Sequence, residues 1–242
     1  MDRLPPFARA ALLLDLDGTL IDIAPAPDLV VVEPGLCESL RRLGGQLDGA
    51  VAVVSGRPVE QIEALLGDAA GVIAGEHGGA IRFGPGQALH RPDLPAAPEA
   101  WRASARRLAE GRQGAMLEEK ARGFVLHYRA APHLGPELEQ ALRGILAGDD
   151  RFALLPAHMA WEVRPRGADK GSAVATLMAR APFAGRLPVF IGDDVTDEEG
   201  MAAARGLGGA GLRVDEAFGS AGGVRRWLAA TAEAGDWGVL RG

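Results

Sequence analysis

Short apolar runs recur along the chain, and each closes in polar or glycine residues. Residues 11–14 end in Asp15-Leu16-Asp17-Gly18, and residues 50–54 end in Ser55-Gly56-Arg57. Residues 72–74 end in Gly75-Glu76-His77-Gly78, and residues 188–191 end in Gly192-Asp193-Asp194. Short runs without alternation are how strands buried on both faces read. Between them lie patterns with helical spacing. Residues 34–43 form one, with Pro34 at the first turn and Gly44-Gly45 as its stop; 58–66 and 172–180 form two more, closed by Gly67 and Pro182. Strands alternating with helices predict an α/β fold built on a doubly wound parallel sheet. In such sheets ligands bind beyond the carboxyl ends of the strands, where the polar clusters fall.

The middle of the chain reads differently. A helical stretch at 101–110 precedes two strands, 115–120 and 124–129, joined by Ala121-Arg122-Gly123 as a hairpin turn. A second helix, 136–146, precedes strands 152–155 and 160–164. This αββαββ order predicts a small antiparallel sheet with two helices on one face. It is an α+β insertion over 93–165, splitting a core made of 1–92 and 166–242. Strand alternation gives the insertion one polar face, carrying Glu118, Lys120, His127, Glu162 and Arg164, and one apolar face, carrying Leu117, Phe124, Leu126, Trp161 and Val163. Glu119 falls on the apolar side, which implies a bulge or an early end to its strand.

Composition narrows the picture. The 242 residues are 48% hydrophobic and carry a formal charge of −6, with no general basic surface to receive duplex nucleic acid. Cys37 is the single cysteine, which excludes an internal disulfide framework and a multi-cysteine zinc site. No apolar stretch approaches the length of a signal-peptide core or a membrane span. The expectation is a cytoplasmic monomer acting on a small molecule, without a nucleic-acid or membrane partner.

Chemistry concentrates in two acidic clusters. Asp15 and Asp17 sit two apart after a buried strand, and carboxylates so close resist joint ionisation unless a cation is near. Gly192-Asp193-Asp194-Val195-Thr196-Asp197-Glu198-Glu199 follows a second strand. Acids at a helix start can simply cap free amides. Two strand ends delivering carboxylates to one sheet edge fit a hard divalent ion such as Mg²⁺ better. Lys170, at a helix N-terminus, gains nothing from the helix dipole and would gain from anions nearby. Ser55 offers a hydroxyl at the same edge. Three other signals are set aside. Gly206-Leu207-Gly208-Gly209-Ala210-Gly211 precedes a strand instead of following one, so it reads as a loop. Arg102, Arg106 and Arg107 read as a solvated strip, and Cys37 reads as core.

Asp15-x-Asp17-Gly18-Thr19, Ser55, Lys170 and Gly192-Asp193-Asp194 stand in the order of the four motifs of the haloacid dehalogenase (HAD) superfamily of phosphotransferases, which the chain resembles. More narrowly it resembles the trehalose-6-phosphate phosphatase family over nearly its whole length, through 53–57, Gly75-Glu76-His77-Gly78, Glu118-x-Lys120, His127-Tyr128-Arg129 and Glu162-Val163-Arg164-Pro165-Arg166-Gly167. The resemblance implies a Rossmann-like HAD core with a cap domain between the second and third motifs. It implies a Mg²⁺-dependent phosphatase releasing trehalose and phosphate through an aspartyl-phosphate. Asp15 would be the nucleophile and Asp17 the acid and base. Asp15, the Asp17 carbonyl and Asp193 would bind the metal, with Asp194 and Asp197 acting indirectly. Thr19, Ser55 and Lys170 would hold the phosphoryl group. Glu118, Lys120 and Glu162 would hold the distal glucose, with Arg57 and His77 as further substrate contacts. A sister activity on sucrose phosphate or mannosyl-3-phosphoglycerate is the alternative.

Overall fold

A computed structural model of the protein describes residues 3–24, 29–157 and 159–238. The chain divides into two compact units, 1–92 with 169–242, and 93–168. The second boundary thus falls three residues beyond the one read from sequence, because Ala168 donates to the Pro165 carbonyl and stays with the inserted unit.

In the larger unit the apolar runs become strands β1 (Ala10–Leu14), β2 (Val51–Val54), β3 (Val72–Gly75), β10 (Leu187–Gly192) and β11 (Ala210–Arg213). Strands β4 (Ala80–Arg82) and β5 (Leu89–His90) complete a seven-stranded sheet ordered β11-β10-β1-β2-β3-β4-β5. The first five of these are parallel, while at one edge β4 pairs antiparallel with β3 and β5 antiparallel with β4. Every residue of β1, β2 and β3 is buried, as unalternated runs require. These two short edge strands carry no apolar run of their own, so the alternation of strand and helix missed them.

Helices α1 (Leu36–Gln46), α2 (Val59–Leu66), α5 (Lys170–Met178), α6 (Asp197–Gly206), α7 (Val214–Ala217) and α8 (Ala221–Ala234) belong to this unit. The expected stop at Gly44-Gly45 is wrong. Helix α1 runs on to Gln46, and the chain turns at Gly49 (φ 83°), whose amide reaches back to the Gly44 carbonyl. A Cβ at Gly44 or Gly45 would meet nothing, so neither glycine answers a steric demand to stop. Cys37 is half-buried and packs against the core, and its thiol points at the Leu66 carbonyl. The glycine-rich segment is only partly a loop. Gly206 ends α6, and Gly211 lies inside β11 where a side chain would collide with Met201.

The smaller unit contains α3 (Glu99–Glu110), β6 (Met116–Glu119), β7 (Phe124–His127), α4 (Gly135–Leu146), β8 (Phe152–Ala157) and β9 (Ala160–Pro165). Its antiparallel sheet is ordered β6-β7-β9-β8. Phe124, Leu126 and Val163 pack with Leu138, Leu142 and Ala105 of the two helices in a separate core. Arg102 departs from the expected solvated strip. It is 8% exposed, and its guanidinium donates to the carbonyls of Ala97, Ala121 and Gly123, tying α3 to the hairpin turn. Arg106 and Arg102 also meet Glu119, so that acid ends its strand by pairing with the helix rather than by a bulge.

Candidate active site

The parallel register aligns the ends of the central strands. Leu14 lies beside Ile191 on one side and Val53 on the other, and Val54 lies beside Ala74. Asp15, Gly192, Ser55 and Gly75 therefore emerge along one sheet edge. Asp15 extends the ladder by one bond, its amide donating to the Ile191 carbonyl at 2.9 Å. The chain then winds over Leu16, whose carbonyl accepts the amides of Thr19, Leu20 and Ile21. Gly18 makes the winding possible at φ 85°, and a Cβ there would come within 2.2 Å of the Asp193 carboxylate. Gly192 does the same for Asp197, where a Cβ would again come within 2.2 Å of the side chain. Both glycines are the space in which a carboxylate sits.

Asp15, Asp193 and Asp197 offer ligand oxygens all within 4.8 Å of one another. Lys170, the first residue of α5, lies between two of them, its Nζ at 2.5 Å from Asp15 and 2.5 Å from Asp197. All three partners are buried, with side chains 3%, 6% and 0% exposed in the order Lys170, Asp15, Asp197. Burial opposes the lysine charge, yet the two carboxylates outweigh it and hold Lys170 firmly cationic. Burial raises the Asp15 pKa, which the ammonium counters and Asp197 reinforces. Burial and the charge of Asp197 likewise raise Asp193. Once all three carboxylates are ionised, set against one ammonium they would leave two negative charges, the complement of one divalent cation. The donors are oxygens throughout, which suits a hard ion such as Mg²⁺.

The sequence expectations for individual residues divide here. Asp197 accepts the amides of Asp193 and Asp194 as well as Lys170, and it is the better placed of the two acids read as indirect. The Asp194 side chain is exposed and accepts the neighbouring Val195 amide, so it stands outside the cluster. Thr19 donates to Asp193 at 3.2 Å. Ser55 is buried, its hydroxyl accepting the Arg57 amide and its carbonyl the His77 amide. Arg57 was expected among the substrate contacts. Its side chain clasps the Asp17 carboxylate with two bonds, of 2.7 and 2.6 Å. The sequence held no sign of this, since the two residues are forty positions apart. His77 lies in a left-handed stretch, with Glu76 at φ 53° and His77 at φ 55°. Non-glycine residues enter that region only where surrounding structure compels it. The His77 ring rests against Gly56, where a Cβ would come within 2.6 Å of Nε2.

In the smaller unit Lys120 and Glu162 form an ion pair of 2.9 Å, and Glu118 pairs with His127 at 2.9 Å. The polar face is less open than alternation suggested, since Glu162 and Arg164 are only 6% and 7% exposed. The hydrogen bond from His127 is the first cause holding the Glu118 carboxyl below its ordinary value.

A buried aspartate at the end of the first strand, locked to a lysine and set among further carboxylates on a parallel sheet, defines the class: a HAD-type fold with a second α+β unit inserted in the chain. Solved structures agree on the fold. A trehalose-6-phosphate phosphatase related protein superposes with a TM-score of 0.69 at 20% identity, covering 93% of this chain and 97% of that one. The C-terminal domain of the Candida albicans trehalose-6-phosphate phosphatase superposes with a TM-score of 0.71 at 21% identity, covering 94% and 92%. The sequence profile of the trehalose-phosphatase family matches residues 13–220. A probable trehalose-phosphate phosphatase of Sinorhizobium fredii is 41% identical over 206 residues, 84% of this chain and 77% of the relative. The trehalose-6-phosphate phosphatase of Escherichia coli is 38% identical over 209 residues, 86% and 78% respectively. The chain belongs to the trehalose-phosphatase family of phosphoric monoester hydrolases.

Proposed function

We propose that this protein hydrolyses trehalose 6-phosphate to trehalose and phosphate in the cytoplasm, through an aspartyl-phosphate on Asp15. The observation that carries the chemistry is the Asp15–Lys170–Asp197 arrangement beside Asp193. Asp15 attacks phosphorus with its carboxylate, and the P–O bond to the sugar breaks as the new P–O bond forms. Asp17 gives a proton to the departing sugar oxygen, then takes one from the water that hydrolyses the acyl phosphate. Arg57 orients the Asp17 carboxylate for both steps through its paired bonds. Ser55, and Thr19 on turning its hydroxyl from Asp193, donate to the phosphoryl oxygens, and Lys170 offsets the charge that Asp15 and the phosphoryl group bring together. Asp15, Asp193 and the Asp17 carbonyl would hold Mg²⁺, with Asp197 behind them. Bound there, Mg²⁺ supplies positive charge against which two anions can approach.

The relatives named above carry the substrate assignment, and the smaller unit supplies residues suited to it. A disaccharide is rich in hydroxyls and poor in apolar surface, so charged hydrogen-bonding groups recognise it best. Glu118, Lys120 and Glu162 are such groups, clustered on one sheet face. On this reading residues 93–168 form the cap that selects the sugar, and His77 is a further contact at the phosphate end.

Rapid acid quenching during turnover of trehalose 6-phosphate tests this directly. Mass analysis of the peptide containing Asp15 is expected to find one phosphoryl group there. A quenched enzyme that turns over and never carries phosphate on Asp15 would refute the mechanism.

A further inference from the structure

The polar face of the four-stranded sheet carries two charge pairs side by side, and they differ in kind. Lys120 and Glu162 are both largely buried, their side chains 13% and 8% exposed, and they neutralise one another across the sheet. Glu118 is 40% exposed, and only its Oε2 is engaged, by Nε2 of His127. Among the described residues no donor engages the other oxygen, Oε1. The strand register explains the pairing. Glu118 stands opposite Val125 and Met116 opposite His127, so Glu118 and His127 are diagonal neighbours on one face. His127 is itself fixed, because β7 is an inner strand held by β6 and β9. Glu118 lies on the edge strand, where a glutamate has three free side-chain torsions and little packing to restrain it.

We propose that His127 is a positioning residue for sugar recognition: its Nε2–H holds Oε2 of Glu118 so that Oε1 is presented, already oriented, to a sugar hydroxyl. This rests on the reading above that the face takes the sugar. The bond requires the proton on Nε2, so His127 acts here as a donor. A hydroxyl arriving at Oε1 then meets a carboxylate whose rotamer entropy has already been lost. Lys120 and Glu162 lie close enough to set the local charge, but their mutual bond leaves Glu118 the freer acceptor.

The test compares kcat/KM for trehalose 6-phosphate with kcat/KM for para-nitrophenyl phosphate, which has no sugar. The quantity read is the ratio of the two. His127→Phe is expected to lower that ratio about tenfold, mainly through KM, as expected for losing one charge-assisted bond. His127→Gln, whose amide can still donate, is expected to recover most of the loss. Adding His127→Phe to Glu118→Gln is expected to lower the ratio little further, since both changes break one interaction. A ratio unchanged in His127→Phe, or losses that simply add in the double variant, overturns the positioning role. Glu118→Gln separates the two ideas. If it lowers the ratio while His127→Phe does not, the sugar face stands and the role of His127 falls. If neither variant lowers it, the reading of the face falls as well. His127→Gln also guards against misfolding, because a variant that recovers the ratio has kept the sheet.

Discussion

Lys170→Met removes the one positive charge from a buried trio while keeping an unbranched chain of similar length. Lys170 is 3% exposed, and its two partners are 6% and 0% exposed, so no solvent can take its place without rearrangement. Breaking a buried pair from one side costs about 3–5 kcal/mol, because the remaining charges are left uncompensated. For a chain of this size each kcal/mol moves the unfolding midpoint by roughly 2–4 °C, so the expected fall is about 10 °C. The sign of its pH dependence follows from the carboxyls. Burial already holds the folded Asp15 carboxyl at about 8, above its unfolded value of 3.8, and the ammonium keeps it from rising further. Groups of that kind stabilise the fold below the unfolded value and destabilise it as pH rises through the folded one. Asp15 keeps its proton in both folded proteins up to neutral pH, so the deficit relative to the unaltered protein should hold level there and widen as pH rises through about 8, where only the unaltered protein releases that proton. Circular dichroism melts across pH, without divalent cations, read this directly. A deficit below about 2 °C, or one that does not widen as pH rises through about 8, would refute the account of the trio.

Three further outcomes are expected. Asp15→Asn should lower phosphate release by at least about a thousandfold, since a carboxamide cannot serve as the nucleophile, and a steady-state assay reads it. Divalent cation binding should tighten as pH rises above the ordinary carboxylate value, because burial makes Asp15 and Asp193 hold protons that the cation must displace; calorimetry in buffers of different ionisation heat should show that proton release. Arg102→Met should destabilise the smaller unit by on the order of 3 kcal/mol, since it strips donors from buried carbonyls; hydrogen exchange should rise within 93–168 and not elsewhere.

The parallel core was legible in sequence because its strands are buried on both faces and read as plain apolar runs. The order of the inserted unit was legible because its strands alternate and its hairpin turn is marked by Gly123. What sequence withheld is of another kind. Strands β4 and β5 are three and two residues long, too short for any period to show. The Arg57–Asp17 clasp and the burial of Arg102 depend on side chains brought together from distant positions. Their one-dimensional surroundings are ordinary polar loops and helix. The choice between Asp194 and Asp197 turns on a single backbone winding after Gly192, which places one acid in the cluster and the other in solvent.

The central claim is the reaction itself, and phosphate release from trehalose 6-phosphate against sucrose 6-phosphate measures it. With Mg²⁺ present, trehalose 6-phosphate should be preferred by at least about tenfold in kcat/KM, the discrimination that one well-placed hydrogen bond confers. Excess EDTA should stop release from both. Equal or faster turnover of sucrose 6-phosphate, or activity untouched by EDTA, would contradict the account.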